Sequence, residues 1–381
     1  MVLAGSVGCG GGPPLDPGDS GPPPDAGPVG PPIALDLGIS YPPVSDERQR
    51  GFSAEHITDL HARIIRFEDQ WALRQADASA PFVWSGLDAK LDWVVAEDLS
   101  LMLTIGVSVP MWACDPAKVS PRTCVPSDLD QFRAYVTALL DHMIERYGRV
   151  PADRIQFGNE WLSDFWYPGT GDDFVLQANV VYDAVHAASP ATTVVLGSLA
   201  TSQIAVVAYC EGRVDRYWSS GDGTPPGVWH EAADREAVCG TEAAVAARTK
   251  VTTVFEQARY DAVDQHLYDD VEQWPAYLAT LREVLIPAGR LPMDVIVSEF
   301  GGPNTWLEPD DEAYQAERLP LYVETLDAEG VTEALFFSLV ERPDDSTGGP
   351  TFHNRSGLMR DEDLTAKPAY WVFRALGERQ D

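Results

Sequence analysis

Two stretches of this chain end on a glutamate where an apolar run would otherwise continue. Arg154-Ile155-Gln156-Phe157-Gly158-Asn159-Glu160-Trp161 reads as a short buried strand that stops on an amide and a carboxylate, with an aromatic residue beyond. Met293-Asp294-Val295-Ile296-Val297-Ser298-Glu299-Phe300-Gly301-Gly302 ends the same way. Carrying such groups to the end of a buried strand is costly unless they are paired or used. Two carboxylates meeting at one face of a parallel sheet can divide the work of breaking a glycosidic bond. One holds a proton for the leaving oxygen and the other, ionised, attacks the anomeric carbon. Competing chemistries lack their residues. There is no Gly-x-Ser-x-Gly elbow, and no Gly-x-Gly-x-x-Gly follows the first strand. No His-x-His follows any strand, so neither a resident metal nor a cofactor is expected.

The elements that must hold these glutamates alternate regularly. Strand-like runs fall at 33–40, 63–67, 101–109, 154–159, 193–199, 262–266, 294–298 and 331–339. Helix-like runs follow at 54–62 behind a Ser53 cap, 87–98, 128–147, 174–188, 241–257, 274–285, 311–328 and 367–376. An irregular insertion is expected over 203–240. Eight strand–helix units in about 345 residues match the count and size of a (β/α)8 TIM barrel, a single catalytic domain over residues 33–381. A doubly wound sheet is the alternative reading of the same alternation. In a barrel, function gathers at the C-terminal strand ends. Those ends carry Ser40 and Tyr41, Arg66 and Glu68, Trp112, Asn159 and Glu160, Ser198, His266 and Tyr268, Glu299, and Ser338 with Glu341.

The pairing of Asn159-Glu160 on the fourth strand with Glu299 on the seventh resembles clan A of the glycoside hydrolases. The likeness covers about residues 33–378. It implies a retaining (β/α)8 enzyme with Glu160 as acid/base and Glu299 as nucleophile. Arg66 matches the arginine that supports the nucleophile in that clan, and His266 with Tyr268 matches its sixth-strand aromatic pair. Asn159 corresponds to the residue that holds the sugar 2-hydroxyl. Gly357-Leu358-Met359 before Lys367-Pro368-Ala369-Tyr370 is similar to the clan's approach to its last helix. Gly158-Asn159-Glu160-Trp161 with Phe165-Trp166 looks most like families 39, 5 and 51. The chain departs from the clan at the eighth strand, where Phe336-Phe337-Ser338-Leu339 has no tryptophan. Trp112, Trp161, Trp166 and Trp306 are candidate sugar platforms, since an indole face matches the apolar side of a pyranose. Trp71, Trp84, Trp93 and Trp371 read as packing residues. The expected partner is a poly- or oligosaccharide with β-linkages. A transglycosidase on the same site, or a carbohydrate-binding protein without turnover, are the other functions these residues allow.

The rest of the sequence bears on where the protein works. Its formal net charge of −32 repels phosphates, which excludes nucleic acid as an expected partner. Five cysteines divide into Cys9 and two local pairs, Cys114 with Cys124 and Cys210 with Cys239. Neither pair has metal-ligand spacing, and each is expected to form a disulfide, with free buried thiols as the alternative. Residues 1–32 run from a short apolar segment through Gly8-Cys9 into a Gly/Pro/Asp-rich tract that cannot bury enough apolar surface to order itself. Small residues ahead of a lone cysteine resemble the end of a bacterial lipoprotein signal. The basic region is missing and Ser6 stands where leucine is usual, so the leader reads as shortened, with a plain disordered leader as the alternative. These features together imply an exported monomer, either surface-tethered through a lipid on Cys9 or free in the periplasm or medium.

Overall fold

The computed structural model describes residues 30–219, 227–268, 270–305, 307–342 and 355–380. Cys9 with the rest of the leader to residue 29, Trp306, Asp344, Asp345 and His353 lie outside the described residues. Eight strands close into a barrel: β1 (Asp36–Ser40), β2 (Ile64–Glu68), β3 (Ser100–Ile105), β4 (Arg154–Phe157), β5 (Thr193–Leu199), β6 (Ala262–Tyr268), β7 (Asp294–Gly301) and β8 (Glu333–Phe336). Each pairs in parallel with its sequence neighbour, and β8 closes on β1. The expected (β/α)8 fold is therefore the observed one.

The helices form where the sequence supplies a stripe and a cap. Leu129–Tyr147 buries Phe132, Tyr135, Val136, Leu139, Leu140 and Met143, the spacing of one helical face. Asp128 caps its start, and Gly148 ends it at φ 71°, a left-handed conformation that glycine adopts without strain. Gly171–Ala188 starts from a reciprocal Thr170–Asp173 capping box. The first helix departs from expectation. It spans Glu47–Asp59, and its cap is Asp46, whose carboxylate accepts from Gln49 N. Ser53 is buried mid-helix and donates to the Pro43 carbonyl at 2.6 Å. A serine inside a helix can satisfy its hydroxyl on nearby backbone, so its residue type alone did not mark the start.

The described residues of the segment expected to be irregular form regular elements. It holds a helix at Thr201–Cys210 and a hairpin of Arg216–Ser219 with Val228–Glu231. The hairpin presses Tyr217 onto Tyr209 and is preceded by the helix it covers. Both expected disulfides are present, Cys114–Cys124 and Cys210–Cys239. Of the tryptophans read as packing, Trp71 and Trp93 are buried, and Trp84 and Trp371 pack half-buried against the core.

Inside the barrel the two-residue period of the strands sorts side chains into layers. Ile64, Met102, Val195, Ala262, Ile296 and Leu335 form an apolar plug, separate from the large core between strands and helices. Two residues further along the strands the interior turns polar, with Arg66, Thr104, Gln156, Asp264 and Ser298 all buried. That polar layer is the floor of the mouth. Gly197 of β5 lets the floor close, because a Cβ there would meet the Phe157 and Gly158 carbonyl oxygens at 2.3 and 2.4 Å. Backbone atoms cannot swing aside as a side chain would. Gly197→Ala is therefore expected to lower stability by about 3 kcal/mol and to displace the end of β4. A denaturant melt checks the first effect, and activity measured below the melting transition checks the second.

Candidate active site

Glu299 reaches the mouth through an irregularity in β7. The register with β6 shifts so that Asp264 faces Ile296 while His266 faces Glu299. The register with β8 shifts at the same place. The extra residue turns successive side chains, Ser298 and Glu299, toward the interior, which a regular strand could not do. Ser298 bonds downward to Asp264 at 2.6 Å. Glu299 bonds across the barrel.

Arg66 meets it there. Its Nη1 donates to Glu299 Oε1 at 2.5 Å, and its Nη2 donates to Asn159 Oδ1 at 2.6 Å. Nε donates to Gln156 Oε1 at 2.8 Å and Thr104 Oγ1 at 2.9 Å. Burial works against this cation most strongly, but the Tyr41 oxygen, Glu299, Asp264 and Glu68 together raise it above the ordinary arginine value. The other carboxylate oxygen of Glu299 accepts from Tyr268 at 2.7 Å. Burial first, then the charge of Glu299, hold that phenol well above its ordinary value, so it remains a donor. Among the described residues Glu68 makes no direct hydrogen bond to Arg66; it accepts from Tyr41 at 2.5 Å.

Glu160 sits one residue beyond Asn159 with φ 44°, in the left-handed region where most non-glycine residues are strained. Several contacts hold it. Ser198 Oγ accepts from its backbone N at 3.2 Å, Gln203 donates to its carbonyl at 3.2 Å, and Trp161 anchors the turn. Trp161 was a candidate sugar platform, and the structure corrects this. It is 0% exposed, stacks on Phe174 and donates its indole N–H to the Gly197 carbonyl at 2.6 Å. No face of the ring is open to a ligand. Trp112 and Trp166 are half-exposed. Trp112 donates to the Gln75 carbonyl, and Trp166 lies under Arg122.

His266 lies between the two glutamates. Its Nδ1 is 3.0 Å from Glu160 Oε1 and 3.5 Å from Glu299 Oε2. Its Nε2 is 3.2 Å from Ser298 Oγ and 3.6 Å from Asp264 Oδ2. One ligand atom each of Glu160, His266 and Glu299 lie within 4.8 Å of one another. The same three could embrace a cation, but Arg66 and Tyr268 already occupy the oxygens of Glu299. Where the eighth strand lacks a tryptophan, half-exposed Phe337 stands between Tyr41 and Tyr268, its ring edge-on to both at 6.0 and 6.2 Å. Phe337 and the buried layer of Thr104, Gln156, Asp264 and Ser298 escaped the residue-type reading, whereas Tyr41 was already among the strand-end residues. The layer had one available signal, polar residues at every second position inside otherwise apolar strands.

No protein-family model matches this sequence, and no curated protein matches it. Solved structures do match in shape. A glucosidase from Croceicoccus marinus superposes at TM-score 0.62 with 16% identity, over 93% of this chain and 69% of the other. A monomeric β-xylosidase from Caulobacter crescentus gives 0.61 with 17% identity, over 92% and 68%. A family 39 glycoside hydrolase from Bacteroides cellulosilyticus gives 0.58 with 14% identity, over 91% of this chain and 64% of that one. At such identities the likeness is one of fold. The chain shares its (β/α)8 fold with glycoside hydrolases, and its strand ends carry a pair of facing carboxylates.

The electrostatics give a test. Burial disfavours the His266 cation most strongly, but Glu299, Asp264 and Glu160 outweigh it and lift the imidazole from 6.5 to about 9. The folded protein thus holds this proton more tightly than the unfolded chain. The stabilisation is complete below pH 6.5 and is lost as pH rises through about 9. Up to about 3 kcal/mol is at stake over that window. Calorimetric melting temperatures are expected to fall between these pH values, and a flat profile would contradict the assignment.

Proposed function

We propose that this protein is a retaining glycoside hydrolase that cleaves β-linked glycans by double displacement, with Glu299 as nucleophile and Glu160 as acid/base. The observation that carries the reading is the placement of the two carboxylates, with one oxygen of each within 4.8 Å of the other at one end of the barrel. Retaining enzymes separate their carboxyl groups by roughly 5–5.5 Å, whereas inverting ones leave roughly 6.5–9.5 Å for a water. The surroundings favour the same division of roles. Glu299 has both oxygens engaged by donors that stabilise an anion, Arg66 and Tyr268. Glu160 has one oxygen on His266 and a second with no donor among the described residues.

In the first half-reaction a Glu299 oxygen forms a bond to the anomeric carbon as the glycosidic C–O bond breaks. The proton of Glu160 goes to the departing oxygen. In the second half, Glu160 takes a proton from water, the water oxygen attacks the same carbon, and the ester to Glu299 breaks with net retention. Asn159 is anchored by Arg66 through Oδ1, which leaves its amide hydrogens for a sugar hydroxyl. Trp112, Trp166 and Phe337 are the aromatic surfaces proposed for sugar rings. The two disulfides fit an oxidising compartment outside the cytoplasm. A carbohydrate binder without turnover would need neither the paired donors on Glu299 nor the strained backbone at Glu160.

Azide separates the roles. With aryl β-glycosides, Glu299→Ala and Glu160→Ala are each expected to lose at least about 100-fold in kcat. Azide should rescue Glu299→Ala as the α-glycosyl azide and Glu160→Ala as the β-anomer. Wild-type turnover that survives both substitutions would sink the assignment, as would an α-product from Glu160→Ala.

A further inference from the structure

Beneath the two glutamates lies a third carboxylate that the double displacement does not use. Asp264, on β6, is 1% exposed and points into the barrel interior. Its Oδ1 accepts from Ser298 N at 2.8 Å, and its Oδ2 accepts from Ser298 Oγ at 2.6 Å and from the Gln156 amide. The same Oδ2 is 3.6 Å from His266 Nε2, and Ser298 Oγ bridges the two groups at 2.6 and 3.2 Å. An anion so deep requires a counter-ion, because a net charge in a low-dielectric interior is expensive.

Resting on the glycosidase reading, we propose that Asp264 is a positioning residue for catalysis: it is the buried counter-ion that keeps His266 cationic between Glu160 and Glu299, so that the mouth is electrically balanced only while the two glutamates carry one negative charge between them.

The balance can be followed through the reaction. At rest the buried set is Arg66 and His266, both positive, against Asp264 and Glu299, both negative, with Glu160 neutral. Glycosylation turns Glu299 into an uncharged ester and leaves Glu160 as a carboxylate, so the total remains zero. Hydrolysis of the ester returns the charge to Glu299 and the proton to Glu160. His266 serves both halves from one place, since its Nδ1 lies 3.0 Å from Glu160 and 3.5 Å from Glu299. Its N–H also fixes Glu160 Oε1 as the accepting oxygen, which assigns the transferable proton to Oε2.

Every charged group facing His266 enters this account. Glu160 comes from the turn after β4, Glu299 from β7 and Asp264 from its own strand. Arg66 of β2 and the phenol of Tyr268 border the same space through Glu299. The raised value for His266 and the lowered one for Asp264, where burial opposes and His266 then outweighs it, agree with the geometry.

The test is Asp264→Asn, which keeps the shape and removes the charge. The mouth then carries one excess positive charge and sheds a proton more readily. The alkaline limb of kcat/KM is expected to move to lower pH by about one unit or more, with KM little changed. The His266 ring is read directly by 15N NMR on the full chain without substrate. In wild type it should be an imidazolium at pH 7, and Asp264→Asn should lower its titration midpoint. A neutral ring in wild type overturns the proposal, as does a midpoint and pH profile that Asp264→Asn leaves in place. If Asp264→Asn fails to fold, Ser298→Ala cuts the hydroxyl bridge and should give a smaller shift of the same sign; no shift overturns the proposal. A wild type that hydrolyses no glycoside counts against the glycosidase reading, whereas the NMR titration still decides the ion pair.

Discussion

One guanidinium ties the mouth of this barrel together. Arg66 leaves β2 and reaches Ser40 on β1, Thr104 on β3, Gln156 on β4, Asn159 beyond it and Glu299 on β7. It is fully buried, so each of these bonds replaces water that cannot enter. Removing one partner of such a buried pair typically costs about 3–5 kcal/mol, because the other charge is left uncompensated. The geometry matters as much as the energy. A planar fork fixes the Glu299 carboxylate and the Asn159 amide with respect to one another, which a flexible ammonium could not do. Strand closure and site geometry are therefore the same constraint seen from two sides.

Around this hub, local irregularity supplies what regular strands cannot. A strand offers one inward side chain in every two residues, yet the mouth needs Ser298 and Glu299 both inward, and the break in register provides that. Glu160 needs to turn back over the barrel from the end of β4, and its left-handed backbone does this. The strain is held by a buried indole bonded to Gly197 and by Ser198 and Gln203 on the following elements. Trp161 thus contributes to the site by fixing the Glu160 backbone rather than by offering an open ring face.

The loops above the mouth are stapled in the same spirit. The Cys114–Cys124 link closes a hairpin whose Arg122 lies over both Phe165 and Trp166, just beyond Glu160. Lys118 of that hairpin pairs with Asp173 at 2.8 Å, the residue that also caps the next helix. Cross-links in the unfolded chain and ion pairs in the folded one both limit the freedom of the wall beside Glu160. The second disulfide does the same for the hairpin of the 203–240 segment, which the sequence had offered only as a cysteine pair in a polar, glycine-bearing stretch.

Much was legible in the residues alone. Strand and helix periodicity, the count of eight units and the two glutamates at strand ends follow from the chemistry of each short segment, since burial and turn preference act locally. Arg66, Asn159, His266 and Tyr268 could be named because they occupy strand ends. What the sequence could not supply was contact across the barrel. Nothing in Asp264 or Gln156 marks either as part of one network, since their hydrogen-bond partners lie 34 to 142 positions away. Nor could residue type tell a buried indole such as Trp161 from a half-exposed one such as Trp112. Ser53 looked like a helix start for the same reason, a residue type compatible with two environments. Local patterns fix the elements because their free energies are summed over neighbours in the chain. Burial and charge pairing depend on which strands close beside one another, and only the tertiary structure decides that.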